Sequence, residues 1–297
     1  MTTQKLPCIL VQNNAFGNLF SKVSRYGWDN NLVVHDRCYA GPSFDINDCG
    51  IDWSKYGPVL IYGTAEFVNA CAKSEQLAKY VFNDRKAIAM SNLVDKCGRI
   101  MFNHHGAAYP AKLISEWITK WSENMFEPKE FFIRPDEAHK VFNGGVYNAE
   151  KWHQLVKDRS LPDDLMCWIS ERQEAPKAEY RCWVINGKIG AVSQYMEDGK
   201  PMAKPFTFSF KEIVEFFYRG FPLISILKEG LKEDFPECFT VDFAIPHNGS
   251  WSSMSVMEIN CINSSGFYGF DNVPDILGAW MEYLEEKENN ETNKETI

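Results

Sequence analysis

The chain lacks an excess of positive charge: 31 Lys and Arg stand against 40 Asp and Glu, for a net charge of −9 over 297 residues. A polyanion would be repelled overall, so nucleic acid is not the expected partner. It lacks any Cys-x-x-Cys pair, although nine cysteines are present. An odd number without metal-ligand spacing argues against both a zinc framework and a complete disulfide framework, and predicts free, mostly buried thiols in a reducing compartment. No apolar run approaches the ~18 residues that a membrane span needs. Cys8-Ile9-Leu10-Val11 is too short for the apolar core of a signal peptide. A soluble, cytoplasmic protein is the expectation. Also missing are the Gly-x-x-x-x-Gly-Lys-Ser/Thr phosphate loop, the Gly-x-Ser-x-Gly elbow and the Lys-x-Asp-Gly motif of nucleic-acid ligases.

What is present fits two or three subdomains around a cleft, with aromatic residues at 14% to build their cores. The first part alternates strand and helix. Strands are expected at Cys8 to Val11, Leu32 to Val34 and Pro58 to Tyr62, with helices at Phe16 to Tyr26 and Ala65 to about Ala78, the rhythm of an α/β layer. Leu113, Ile114, Trp117 and Ile118 recur at helical spacing. Glu130 to Ile133 and Met166 to Ser170 read as strands, His139 to Gly145 as a loop, and Ala149 to Val156 as a short helix. Asn186-Gly187 between two β-rich runs predicts a hairpin. Helices at Phe210 to Phe217 and Leu223 to Leu231 are expected to be separated by Gly220 and Pro222. Strands follow at Phe239 to Ile245 and Ser255 to Ile262, then a closing helix at Ile276 to Glu285 and a polar tail over 286–297 expected to be disordered.

Chemistry concentrates late in the chain. Glu258 and Asn260 are two apart in a strand and share one face. Asp242 is a lone acid in the apolar strand Thr240 to Ala244. If these strands pair antiparallel about residue 250, Asp242 and Glu258 lie opposite each other. Two adjacent carboxylates repel, and a hard divalent cation such as Mg²⁺ removes that cost. A solvated hairpin face is the alternative. Glu179, Arg181 and Trp183 share a face, and an arginine there calls for an anion: a phosphate, or Glu179 itself on a wet face. Arg134 ends an apolar strand, Lys140 follows, and Asn143-Gly144-Gly145 could bring backbone N–H groups up to phosphate or form an ordinary turn. His104-His105 reads as a loop, and Asn263 to Gly266 as a substrate-holding or helix-leading segment.

Taken in order, Phe132-Ile133-Arg134-Pro135-Asp136 with Lys140, Glu179-Tyr180-Arg181 with its hairpin, Val241-Asp242-Phe243-Ala244 and Met257 to Asn263 resemble the ATP-grasp superfamily. The likeness is nearest to a clade common in phages and bacteria that carries arginines and a lysine at the phosphate site. The resemblance implies an α+β fold: two lobes gripping ATP over residues 83–285, preceded by a small α/β domain over 1–82. It implies that Arg134 and Lys140 bind phosphate and that Asn143, Gly144 and Gly145 close over it. Trp168 to Glu171, with Trp168, Ser170 and Glu171 as contacts, would receive adenine and ribose, the acidic ribose ligand being Glu171 or Glu174. Arg181 would contact phosphate and the transferring group, and Asp242, Glu258 and Asn260 would hold Mg²⁺. The implied activity is ATP-dependent joining of a small-molecule or peptide carboxylate to an amine through an acylphosphate, in the cytoplasm, or the host's if phage-encoded. A phosphotransferase, or an inactive nucleotide-binding regulator on the same scaffold, is the alternative.

Overall fold

The computed structural model describes residues 5–14, 19–124, 129–137, 141–202, 210–268 and 273–295. Its first unit comprises β1 (Leu6–Gln12), α1 (Leu19–Asp29), β2 (Val33–Arg37), β3 (Tyr56–Tyr62) and α2 (Ala65–Cys71). The strands form a parallel sheet in the order β2-β1-β3. Ile9, Leu10, Leu60 and Ile61 are fully buried, as continuous apolar runs in a sheet covered on both faces should be. α2 stops at Cys71, short of the expected Ala78. The chain turns there, so that Leu77 and Tyr80 enter the core instead of continuing a helical face.

After α3 (Met90–Cys97), a second unit holds β4 (Gly106–Pro110), α4 (Ala111–Asn124), β5 (Phe131–Pro135), β6 (Gly145–Tyr147), α5 (Ala149–Arg159) and β7 (Met166–Glu171). Its antiparallel sheet runs β4-β7-β5-β6. Alternation along β5 divides its labour. Phe131 and Ile133 are buried with Ile114, Ile118 and Trp152 of the helices, which leaves Phe132 and Arg134 for the opposite face. β4 and β6 were not expected from the sequence. Both are short, and β6 is a three-residue edge on the glycine segment read as loop.

The third unit contains β8 (Ala178–Ile185), β9 (Lys188–Glu197), β10 (Lys200–Pro201), α6 (Phe210–Leu231), β11 (Cys238–Ile245), β12 (Ser255–Cys261) and α7 (Val273–Glu295). Its sheet order is β10-β9-β8-β11-β12, antiparallel throughout. Asn186 and Gly187 both have positive φ, 49° and 71°, which is what the two-residue turn between β8 and β9 requires.

Two expectations fail here. α6 is one helix with Pro222 inside it, not two helices. Phe216, Ile224, Leu227 and Leu231 keep one buried stripe on both sides of the proline, and that packing outweighs its cost of about 3 kcal/mol. The run from Glu286, expected to be disordered, continues α7 to Glu295. Glu288 pairs with Lys79 and accepts from the Tyr80 hydroxyl, and Lys287 reaches Glu237 at 2.5 Å.

The cores show how the units are joined. One core contains the first sheet together with Trp183, Ile185 and Cys238 of the third unit and Leu277, Trp280 and Leu284 of α7. A second lies between the third sheet, α3 and α6, and takes in Trp168. The small antiparallel unit has a core of its own, drawn from residues between Ala111 and Ile169. All nine cysteines are unpaired, and all but Cys38 and Cys49 are buried. Among the described residues no helix is long and apolar enough to cross a membrane.

Candidate functional site

β11 and β12 pair so that Asp242 faces Glu258 and Thr240 faces Asn260, the register expected from symmetry about residue 250. A bulge follows immediately, between Asp242 and Phe243, so the strands slip only beyond the acidic pair. On the other side of β11, Asp242 lies opposite Arg181 of β8. Three adjacent strands therefore present Arg181, Asp242, Glu258 and Asn260 on one face. The side chains converge: Asn260 Nδ2 donates to Glu258 Oε1 at 2.8 Å and lies 3.4 Å from Asp242 Oδ2.

Arg134 reaches this cluster from the small unit. Its Nη1 lies 2.5 Å from Glu258 Oε2, and its Nε donates to the carbonyl of Pro135 at 3.2 Å. The ion pair crosses the cleft and joins two sheets whose strands are not hydrogen-bonded to each other. Gly144 packs over the base of Arg134. A Cβ on Gly144 would lie 3.0 Å from the Cβ of Arg134 and 3.4 Å from the Phe132 ring, so the segment can approach this closely only without a side chain. Gly145 pairs with Ile133, and the Tyr147 hydroxyl donates to the carbonyl of Asn143 at 2.8 Å. Lys140 lies outside the described residues.

Arg181 was expected to face phosphate or to pair with Glu179. Its partner in the structure is Asp242 and not Glu179. Nε and Nη2 donate to the two oxygens of Asp242 at 2.7 and 2.6 Å, and both residues are buried, at 4% and 1% exposure. Glu179 instead accepts from the Tyr195 hydroxyl at 2.6 Å. The rings of Tyr195 and Tyr268 stack 4.8 Å apart, with the Arg181 guanidinium 4.7 Å from the Tyr268 ring and 5.7 Å from that of Tyr195.

The electrostatics separate the two central acids. Burial pushes Asp242 up to about 6 against the pull of Arg181. Burial also acts on Glu258, but Arg134 and the amide of Asn260 outweigh it and hold that carboxyl down at about 2. Glu179 is raised, by burial first and then by the nearby charge of Glu258, against the bond from Tyr195.

The residues expected at the adenine end divide. Trp168 is buried opposite Arg134 and donates from Nε1 to the carbonyl of Asn103 at 3.2 Å. Ser170 is buried opposite Phe132, and its hydroxyl is an unpartnered polar atom in the wall of the cleft. Glu171 lies opposite Phe131, on the helix-covered face, and its carboxylate takes Lys129 at 2.9 Å. The structure therefore separates it from the Arg134 face. Glu174 is exposed and lies 3.4 Å from the Asn248 amide, also apart from the cluster. The acid that does share the site is Glu179, whose signal was its i, i+2 spacing from Arg181.

Asn263 is neither a substrate contact nor a helix-leading residue. It is fully buried, donates to the carbonyls of Ile61 and Tyr80 and accepts from the N–H of Phe82, joining the first sheet to the end of β12. His104 and His105 lie in the loop before β4, with His104 Nδ1 2.8 Å from the carbonyl of Met101.

The donor set suits a nucleotide with a hard cation. Two carboxylates and an amide side chain meet between the two antiparallel sheets, two guanidiniums balance their charge, and a glycine segment lies against one of them. Residues 115–274 match the family described as ATP-grasp domain, R-two-K clade family 2. Among solved structures the fold is similar to D-cycloserine synthetase DcsG, at 14% identity over 94% of this chain and 99% of that one, with a TM-score of 0.58. It is also similar to D-alanine–D-alanine ligase from Bacillus anthracis, at 11% identity over 95% and 99%, with a TM-score of 0.55. A third is the ATP-grasp ligase PsnB, complexed with a phosphomimetic variant of its minimal precursor, Mg and ADP, at 10% identity over 96% and 99%, with a TM-score of 0.51. No curated protein matches the sequence.

Proposed function

Because the chain belongs to the second family of the R-two-K clade of ATP-grasp domains, we propose that it joins a carboxylate to an amine at the expense of ATP, releasing ADP and phosphate. The observation that carries this reading is the meeting of Asp242, Glu258 and Asn260 with Arg134, which comes from the opposite wall of the cleft. Asp242, Glu258 and Asn260 would hold Mg²⁺, and the ion, when bound, would supply positive charge against the phosphates. Support for the metal and nucleotide also comes from the relative crystallised with Mg and ADP.

The chain's own residues do the rest. Arg134 holds the triphosphate from the small-lobe side, as Lys140 does in this reading. Asn143, Gly144 and Gly145 lie close enough to Arg134 to cover it and exclude water. In this reading Trp168 and Ser170, which share the face of Arg134, wall the adenine end, and Glu179, two residues before Arg181, is the further acid of the site in place of Glu171 and Glu174. A substrate carboxylate oxygen attacks the γ-phosphorus as the bond to ADP breaks, giving an acylphosphate. The amine nitrogen then attacks the acyl carbon, phosphate departs with the bonding pair, and the amine loses a proton to solvent or phosphate. Residues 1–82 are read as a domain preceding the ATP-grasp lobes. The carboxylate and amine are small molecules or peptides, and a reaction fed by ATP fits the cytoplasm.

Incubation with ATP, Mg²⁺ and pools of amino acids and peptides tests the proposal. ADP release that needs both an acid and an amine supports ligation. A stable phosphorylated acceptor replaces it with phosphotransfer, and nucleotide binding without turnover replaces it with a regulatory role.

A further inference from the structure

The two arginines of the site are held in different ways. Arg134 touches Glu258 through Nη1 alone, and its Nη2 has no hydrogen-bond partner among the described residues. That donor can be offered to a phosphate without breaking anything. Arg181 has no such freedom. Nε and Nη2 grip both oxygens of Asp242, and Nη1 lies 3.5 Å from the carbonyl of Gly266. Tyr268 and Tyr195 pack against its guanidinium. To turn toward a phosphate it would have to give up two charged hydrogen bonds to a carboxylate that is 1% exposed.

Resting on the reading of Asp242, Glu258 and Asn260 as the metal site, we infer that Arg181 is a positioning residue for that metal and not a phosphate ligand. Its two parallel donors fix the plane of the Asp242 carboxylate. An oxygen of that carboxylate is thereby kept turned toward Asn260 and Glu258, with Asp242 Oδ2 3.4 Å from the Asn260 amide. The bidentate grip sets the ligand's geometry before the cation arrives, and Arg181 acts on the nucleotide only through Asp242. Nucleotide contact falls to Arg134, and cation placement to Arg181.

The two roles separate when metal binding and nucleotide binding are measured apart. Mn²⁺ can replace Mg²⁺ and be followed by electron paramagnetic resonance in the presence of a non-hydrolysable ATP analogue. Affinity for the analogue alone is measured by calorimetry in EDTA. Arg181→Met is expected to weaken Mn²⁺ binding about ten- to a hundredfold, the usual effect of removing a group that orients a metal ligand. Metal-free analogue affinity should change less than about twofold in that variant, and in the Asp242→Asn background Arg181→Met should add less than about twofold to the Mn²⁺ defect. The paired variant has no unbalanced buried charge, so it guards against a simple failure to fold. Arg181→Lys should recover part of the Mn²⁺ affinity.

Multiplicative penalties in that cycle overturn the inference, as does a loss of metal-free affinity of about tenfold in Arg181→Met, which would mean direct phosphate contact. Glu258→Gln distinguishes this failure from a deeper one. If Glu258→Gln binds Mn²⁺ like the wild type, the metal site itself is misread and the inference falls with it. If Glu258→Gln loses Mn²⁺ while Arg181→Met keeps it, only the positioning role is wrong.

Discussion

Glu258 gathers two contacts that pull in one direction, Arg134 across the cleft and the Asn260 amide beside it, and faces a second acid in Asp242. Glu258→Gln keeps the shape but removes a charge, so turnover is expected to vanish while the circular dichroism spectrum stays unchanged. Retained activity would refute the assignment. Arg134→Ala removes the one cation that spans the cleft from the small sheet among the described residues, and ATP binding should weaken by about 1.5–3 kcal/mol, the worth of a charged hydrogen bond, when measured by calorimetry. Asn263 carries a different kind of weight. Its amide satisfies the buried carbonyls of Ile61 and Tyr80 and the part-buried N–H of Phe82. Asn263→Ala leaves these unpaired and should cost about 3 kcal/mol, read as a lower urea midpoint with an unchanged m-value. The meeting of Asp242 with Glu258 could be read from the sequence because an acid in an apolar strand has few explanations. Asn263 could not, because a buried amide linking segments two hundred residues apart leaves no local pattern.

Among the elements, α7 behaves least as its composition suggests. A polar, charged run has little to bury, and the tail after Glu285 was therefore expected to be disordered. The helix persists because Lys79, Tyr80 and Glu237 provide partners from distant parts of the chain, information that no window around residue 288 contains. Burial acts to raise the Glu288 carboxyl, but Lys79 and the Tyr80 hydroxyl outweigh it, and the group is held below its ordinary range. A depressed carboxylate stabilises the fold above its unfolded value, and that contribution disappears as pH falls through the lowered one. Thermal melting followed through that acid range should fall more steeply in the wild type than in Glu288→Gln. Parallel curves would show that the tail contributes nothing to acid stability. α6 shows the same limit: Pro222 is a strong local signal for a break, yet a stripe from Phe216 to Leu231 packed on the sheet overrides it. Long apolar strands and the Asn-Gly turn were legible because both are decided locally. The three-residue β6 was not, since an edge strand that short exists only against its neighbour.

At the scale of the whole molecule, the first sheet does not close its own core. Trp183, Ile185, Cys238, Leu277, Trp280 and Leu284 complete it from the far end of the sequence. Expression of residues 83–297 without the first unit should therefore give a chain that unfolds non-cooperatively or precipitates, as scanning calorimetry and light scattering would detect. A sharp transition in that fragment would mean that the third unit is self-sufficient. The small antiparallel unit is in the opposite position, since among the described residues its core draws on residues 109–169 alone. The salt bridge between Arg134 and Glu258 thus ties an autonomous body to a composite one. With its side chains only 12% and 28% exposed, the pair is screened little by salt. A phosphate or cation that claimed either partner would therefore compete with the strap between the two bodies, so that filling the site and holding the jaws together draw on the same side chains.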